Sequence, residues 1–188
     1  MTDDTSRMFP VGRTALIALV PEADPLVGDW RSRLDPVARA GVPAHVSVLY
    51  PFLDESRIDA SVHAGLAGIL HPRPAFDLRF ERTGRFPGCL YLAPEPAGPL
   101  RRLTSEVAGR WPEAPPYGGR YPDTVPHLTV AQGAGAADLD AAEADLAGRL
   151  PLTSRVSSVK LVAYDGTAWR ERASFALRGN RAGASPTD

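Results

Sequence analysis

The sequence holds one cysteine, Cys89, among its 188 residues. A single thiol excludes an intramolecular disulfide framework and a cysteine-built zinc site. Cys89 stands in the apolar run Cys89-Leu90-Tyr91-Leu92, which reads as packing rather than as a nucleophile. Charge of one sign is also missing: 21 Lys+Arg face 22 Asp+Glu, for a formal net charge of -1. Such a chain has no global field to hold long nucleic acid, though a small anion or a short RNA end can still be held locally. Long apolar runs are absent too. The longest, Ala15 to Val20, is far short of a membrane span and follows Asp3 and Asp4 rather than a basic leader. These features predict a cytoplasmic protein with no membrane partner.

What is present is core material: 44% hydrophobic and 23% charged residues, ordinary for a globular protein. The length fits one domain, or two small lobes sharing a core. Residues 1–8 and 179–188 are polar and read as disordered ends, leaving 9–178 as the folded unit. Within it, strand and helix periods alternate. Strands are expected over 14–20, 44–50, 76–81, 89–93, 127–131, 156–164 and 169–177. Helices are expected over 26–37, 58–70, 100–111 and 139–150. A turn over 83–88 would make the third and fourth strands a hairpin. The Pro-, Gly- and Tyr-rich stretch 112–126 is too long for a tight turn, and loops of that size are often functional. About seven strands and four helices make an α+β fold with a largely antiparallel sheet.

Two segments repeat. Val42-Pro43-Ala44-His45-Val46-Ser47-Val48 and Val125-Pro126-His127-Leu128-Thr129-Val130 each enter a strand through a proline, then read His, apolar, hydroxyl, apolar. Strand alternation puts His45 with Ser47 on one face and Val46 with Val48 on the other; the same holds for His127 with Thr129. Such a strand buries one face and presents chemistry on the other. The two histidines lie nearly half the chain apart, as duplicated lobes would place them. Of the four histidines, His63 and His71 lack this pattern and fall in or beside a helix, where solvated or capping roles are expected.

The segments His45-Val46-Ser47-Val48 and His127-Leu128-Thr129-Val130, with His45 to Phe52 and Phe86 to Leu92, resemble the signatures of the 2H phosphoesterase superfamily. That group includes the bacterial proteins called 2′-5′ RNA ligases or RNA 2′,3′-cyclic phosphodiesterases. The resemblance covers Thr14 to about Leu177. It implies a bilobal fold with pseudo-two-fold symmetry, antiparallel sheets flanked by helices, and both motif strands at the floor of a central cleft. The implied activity is cleavage of a 2′,3′-cyclic phosphate or 2′-5′ phosphodiester at an RNA or nucleotide end, without a metal or other cofactor, by a monomer.

That chemistry needs one proton taken from water and another given to the departing ribose oxygen. Two histidines with ordinary pKa values of about 6.5 can do both near neutral pH. His127 is expected as general base and His45 as general acid, with the roles exchanged for ligation. Ser47 and Thr129 would donate to the non-bridging oxygens. Where the RNA-ligase-like branch carries an arginine three residues after the second hydroxyl, this chain has Gln132, which brings a donor but no charge. Arg85, Arg120 and Lys160 are candidates to compensate. Tyr117 and Tyr121 are candidates to stack on a base, whereas Phe52 and Trp169 are expected to cap the core, and Tyr50 to pack on the face opposite His45.

Other classes are less well supported. Neither motif has a carboxylate at ligand spacing or a third histidine to complete a metal site. No Gly-x-Ser-x-Gly elbow is present for a serine hydrolase. A non-catalytic module binding a nucleotide or RNA end with the same four residues is the main alternative. The candidate substrates are an RNA 2′,3′-cyclic end, a 2′-5′-linked oligonucleotide, a mononucleotide or a cyclic ADP-ribose phosphate.

Overall fold

The structure, a computed structural model, describes residues 9–179. The expectations for 1–8 and 180–188 lie outside the described residues. Among the described residues, eight strands form two four-stranded antiparallel sheets. The first sheet has the order β2-β1-β7-β8, with β1 Thr14–Leu19, β2 His45–Leu49, β7 Ser158–Tyr164 and β8 Trp169–Ala176. The second has the order β5-β4-β3-β6, with β3 Phe76–Phe86, β4 Cys89–Glu95, β5 Leu128–Gln132 and β6 Leu152–Val156. Each sheet therefore begins at an edge with a motif strand, paired to the strand that precedes it in its lobe. The two edges, β2 and β5, lie against each other.

Five α-helices of the described residues flank the sheets: α1 Asp24–Leu34, α2 Pro36–Arg39, α3 Ala60–Leu70, α4 Gly98–Arg110 and α5 Ala136–Ala147. A single apolar cluster spans both lobes, including Leu16, Val46, Leu90, Leu92, Leu128 and Val130, all fully buried. Burying side chains of this size contributes about 1.5–3 kcal/mol each relative to exposure. A smaller cluster of Phe9, Ile17, Val42, Val162, Tyr164 and Trp169 lies on the opposite face of the first sheet.

The fold class is as expected; the helix expected over 139–150 lies three residues earlier, at Ala136–Ala147, and the elements differ more substantially in three places. The expected helix over 26–37 is two helices. Pro36 cannot continue the hydrogen-bond ladder, and Asp35 instead caps α2 by accepting from the Val37 N–H at 3.0 Å. The expected strand over 156–164 is the C-terminal half of a pair. Residues 152–156 form β6 in one sheet and 158–164 form β7 in the other, with Ser157 as the joint. The mixed sequence Leu152-Thr153-Ser154-Arg155-Val156 carries too little apolar signal to show it. Third, the expected turn over 83–88 is mostly strand. β3 runs to Phe86, leaving only Pro87-Gly88, and Gly88 adopts φ +69°, open to glycine at no steric cost.

Candidate active site

Each motif histidine is fixed by the chain just before it. The His45 Nδ1 is 2.9 Å from the Pro43 carbonyl, and the His127 Nδ1 is 2.7 Å from the Val125 carbonyl. In both cases the bond reaches back two residues across a proline-stiffened approach. A carbonyl can only accept, so each Nδ1 carries the proton and each Nε2 is left as the reactive nitrogen. Ala44 is pinned further: Asp24 Oδ1 accepts from its N–H at 2.9 Å, and its carbonyl accepts from the Val20 N–H at 2.8 Å.

The motif strands share a second device. β1 pairs Leu16 with Leu49 and Ile17 with Ser47, passing over Val48; β4 pairs Leu90 with Ala131 and Tyr91 with Thr129, passing over Val130. Each strand thus bulges just after its hydroxyl residue. Val48 and Leu49 both enter the core, as do Val130 and Ala131. Alternation then resumes one residue late and turns Tyr50 and Gln132 to the face of the histidines. Tyr50 consequently packs on the cluster carrying Trp169, at 6.2 Å between ring centres, not on the face opposite His45. A bulge invisible in the His-x-Ser pattern reverses that expectation.

The site is electrostatically uneven. Burial pulls the His45 pKa down to about 4, aided by the charge of Arg31 and that of His127. Burial also lowers His127, with the bond to the Val125 carbonyl acting the other way. Arg31 was not evident from the sequence. It is 3% exposed, paired with Asp35 at 2.9 Å, and also donates to the Val42 carbonyl at 3.2 Å, next to the His45 anchor. The signal available was a charged pair at helical spacing within an apolar stripe (Leu26, Trp30, Leu34).

The wall beside His127 is aromatic. Phe86 and Tyr91 stack at 4.5 Å and meet the imidazole at 5.2 and 5.5 Å. Tyr91 can lie there because its cross-strand neighbour is Gly84; a Cβ at 84 would run into the Tyr91 ring. Tyr117 stands over the His127 ring, nearly parallel at 6.4 Å. Among the described residues it is the non-glycine position with left-handed backbone, φ +53°, and its N–H donates to the Tyr50 carbonyl at 2.6 Å, tying the long loop to the other lobe. Burial pushes its phenol up to about 12.

The remaining candidates separate. Ser47 and Thr129 are half-buried on the histidine face, and Thr129 adjoins the Cys89 thiol. Tyr121 is 63% exposed beside Tyr117, and Arg120 is exposed in the same loop, with its charge felt at the Tyr50 phenol. Arg85 turns away: Phe86 faces His127, so the preceding side chain faces α5, where it pairs with Asp140 at 2.7 Å and Glu143 at 2.6 Å. Lys160 pairs with Glu171 at 3.1 Å on the face that carries His45. His63 packs near Phe175 on α3, away from this chemistry. Among the described residues, no three His, Cys, Asp or Glu side chains are grouped to hold a metal, and no helix is long and apolar enough to cross a membrane.

Comparison with known proteins bears on the family and the fold. The family model described as 2′-5′ RNA ligase superfamily matches residues 19–168. The structure of E. coli LigT complexed with 3′-AMP superposes with a TM-score of 0.58 at 19% identity, covering 89% of this chain and 99% of that one. TT0787 of Thermus thermophilus superposes with a TM-score of 0.59 at 20% identity, covering 90% and 100%. LigT has also been crystallised with NADP+ and with ATP. No curated protein matches the sequence.

Proposed function

This chain belongs to the 2′-5′ RNA ligase superfamily, and from that premise we propose that it is a metal-independent phosphodiesterase for 2′,3′-cyclic phosphate or 2′-5′ linkages of nucleotides or RNA ends. The observation that carries this reading is the pair of imidazoles on abutting strand edges, each with Nδ1 tied to a carbonyl and a hydroxyl two residues on. Nucleotides as the ligand class fit the 3′-AMP, ATP and NADP+ bound by LigT.

The electrostatics favour a division of labour opposite to the sequence-based expectation. Burial and the Arg31 charge hold His45 neutral, so its Nε2 suits the base. His127 lacks the arginine beside it and is the imidazole whose protonated form, with a proton taken from solvent, a bound phosphate anion stabilises more readily. In hydrolysis, water attacks phosphorus as His45 Nε2 takes its proton. The bond to one ribose oxygen breaks, and that oxygen receives the proton of His127 Nε2. Ser47, Thr129 and the Gln132 amide donate to the non-bridging oxygens, where charge must be held.

The test is hydrolysis of adenosine 2′,3′-cyclic phosphate in excess EDTA by the parent, His45→Ala and His127→Ala. Turnover by the parent and a loss of about 100-fold or more in each variant are expected. Activity that survives in either variant, or needs added metal, overturns the mechanism. A folded parent that binds adenosine 3′-phosphate but turns nothing over would be the non-catalytic module instead.

A further inference from the structure

A recess of about 180 Å³ lies on the face of the first sheet that carries His45. Its floor is Ile17, Leu19 and Val162, its wall is Trp169, and Lys160 and Glu171 stand at its rim. Its position relative to the chemistry is set by pairing: Leu19 is the cross-strand partner of His45, and Ile17 that of Ser47. Whatever occupies the recess is therefore held one strand away from His45 and Ser47.

Three properties narrow the occupant. First, an apolar cavity of about 150 Å³ takes a benzene-sized ring, so a recess of about 180 Å³ takes one ring system rather than a whole ligand. Second, its charges cancel. The Lys160–Glu171 pair at 3.1 Å leaves no free cation for a further phosphate group, yet it offers one donor and one acceptor at the mouth. Third, its lining includes an aromatic ring, Trp169, which favours a planar partner over a flexible aliphatic one. A planar, neutral heterocycle with polar edges matches all three.

We propose that this recess seats the nucleobase of the substrate, so that the nucleoside lies on the His45 side of the phosphate. This rests on the phosphodiesterase reading and deepens it: the preferred substrate carries a base, and the base is gripped by the first lobe. The Phe86, Tyr91 and Tyr117 wall beside His127 then faces the other side of the phosphate.

The experiment compares kcat/KM for adenosine 2′,3′-cyclic phosphate and for ribose 2′,3′-cyclic phosphate, which lacks the base. The parent is expected to prefer the adenosine compound by at least about 10-fold, the range one apolar pocket provides. Val162→Phe fills the recess and should remove most of that preference while leaving the baseless substrate within about two-fold. Glu171→Ala, at an exposed position, should lower the adenosine rate alone by about three-fold and guards against misfolding of the first variant. Equal rates for both substrates in the parent, or equal losses on both in the variants, overturn the seat. If the parent turns over neither substrate, the phosphodiesterase reading fails, and calorimetric binding of adenosine 3′-phosphate decides the seat alone. Binding weakened by Val162→Phe supports it; binding unaffected by that variant, or absent in the parent, overturns it.

Discussion

Tyr50 and Gln132 occupy equivalent positions in the two lobes. Each stands five residues after its motif histidine, and each is brought to the histidine face by a bulge that passes over Val48 or Val130. One lobe thus contributes an aromatic ring at this point and the other an amide. Placing an arginine at 132 would add a charged fork where the amide now stands. Gln132→Arg is expected to lower KM for a cyclic phosphodiester about three- to ten-fold and to make it more salt-sensitive. An unchanged KM would show that residue 132 does not reach the phosphate.

Gly84 owes its identity to Tyr91. A methyl at 84 collides with the far end of the Tyr91 ring, so the ring must swing off Phe86 and His127 while the backbone stays in place. Gly84→Ala should therefore fold, with stability changed by no more than about 1 kcal/mol, yet lose activity several-fold. Tyr91→Ala should lose a similar amount. The double variant should be no worse than Tyr91→Ala, because both act on one ring. Additive losses in a double-mutant cycle would mean that Gly84 matters for another reason.

The sequence made some of this legible and hid the rest for definite reasons. His45, Ser47, His127 and Thr129 were visible because a duplicated pattern in strand context is hard to produce by composition. The first and second strands were visible because Ala15–Val20 and Val46–Leu49 are largely apolar. The side of the strand on which Tyr50 lies was not visible, since one bulge inverts all later alternation. Arg31 was hidden because a charged residue on a helix is read as solvated, and only the structure shows it buried against Asp35. Arg85 was a fair candidate by position but faces α5, which strand parity sets once Phe86 is known to face His127.

Cys89 behaves as a packing residue. Burial pushes its thiol up to about 11, and it donates weakly to the Leu90 carbonyl at 3.8 Å. The native protein should resist iodoacetamide at pH 8, where an ordinary thiol with a pKa of about 8.5 reacts readily. Mass spectrometry of the native and urea-unfolded forms checks this, and rapid native labelling would contradict the packing role.

The buried Arg31–Asp35 pair should tune the reaction as well as the fold. Removing Arg31 alone leaves Asp35 uncompensated and costs about 3–5 kcal/mol. Replacing both as Arg31→Met with Asp35→Leu avoids the orphaned charge. The paired variant keeps the burial that lowers His45 but loses the neighbouring cation, so the His45 pKa rises part of the way back towards 6.5. The acid limb of kcat/KM should move to higher pH, because His45 must be neutral to act as base. The ratio of activity at about pH 5.5 to that at about pH 7.5 should then be lower than in the parent. An acid limb that does not move would assign it to another group.

The same burial links stability to pH. His45 has a folded pKa of about 4 against 6.5 when unfolded, and His127 is shifted in the same direction. Between those values the unfolded chain binds more protons than the folded one, so stability rises with pH across the window. It is fully present above about 6.5 and is lost as pH falls towards 4. The urea midpoint should drop between about pH 7 and about pH 5, and the double variant His45→Gln with His127→Gln should show a shallower drop. Carboxylates such as Asp165, held far below their usual range by hydrogen bonds from Ala168 and Thr167, act at lower pH and are common to both proteins. The difference between the two pH profiles therefore isolates the imidazoles. Parallel profiles would mean that solvent reaches the two rings well enough to protonate them in the folded state.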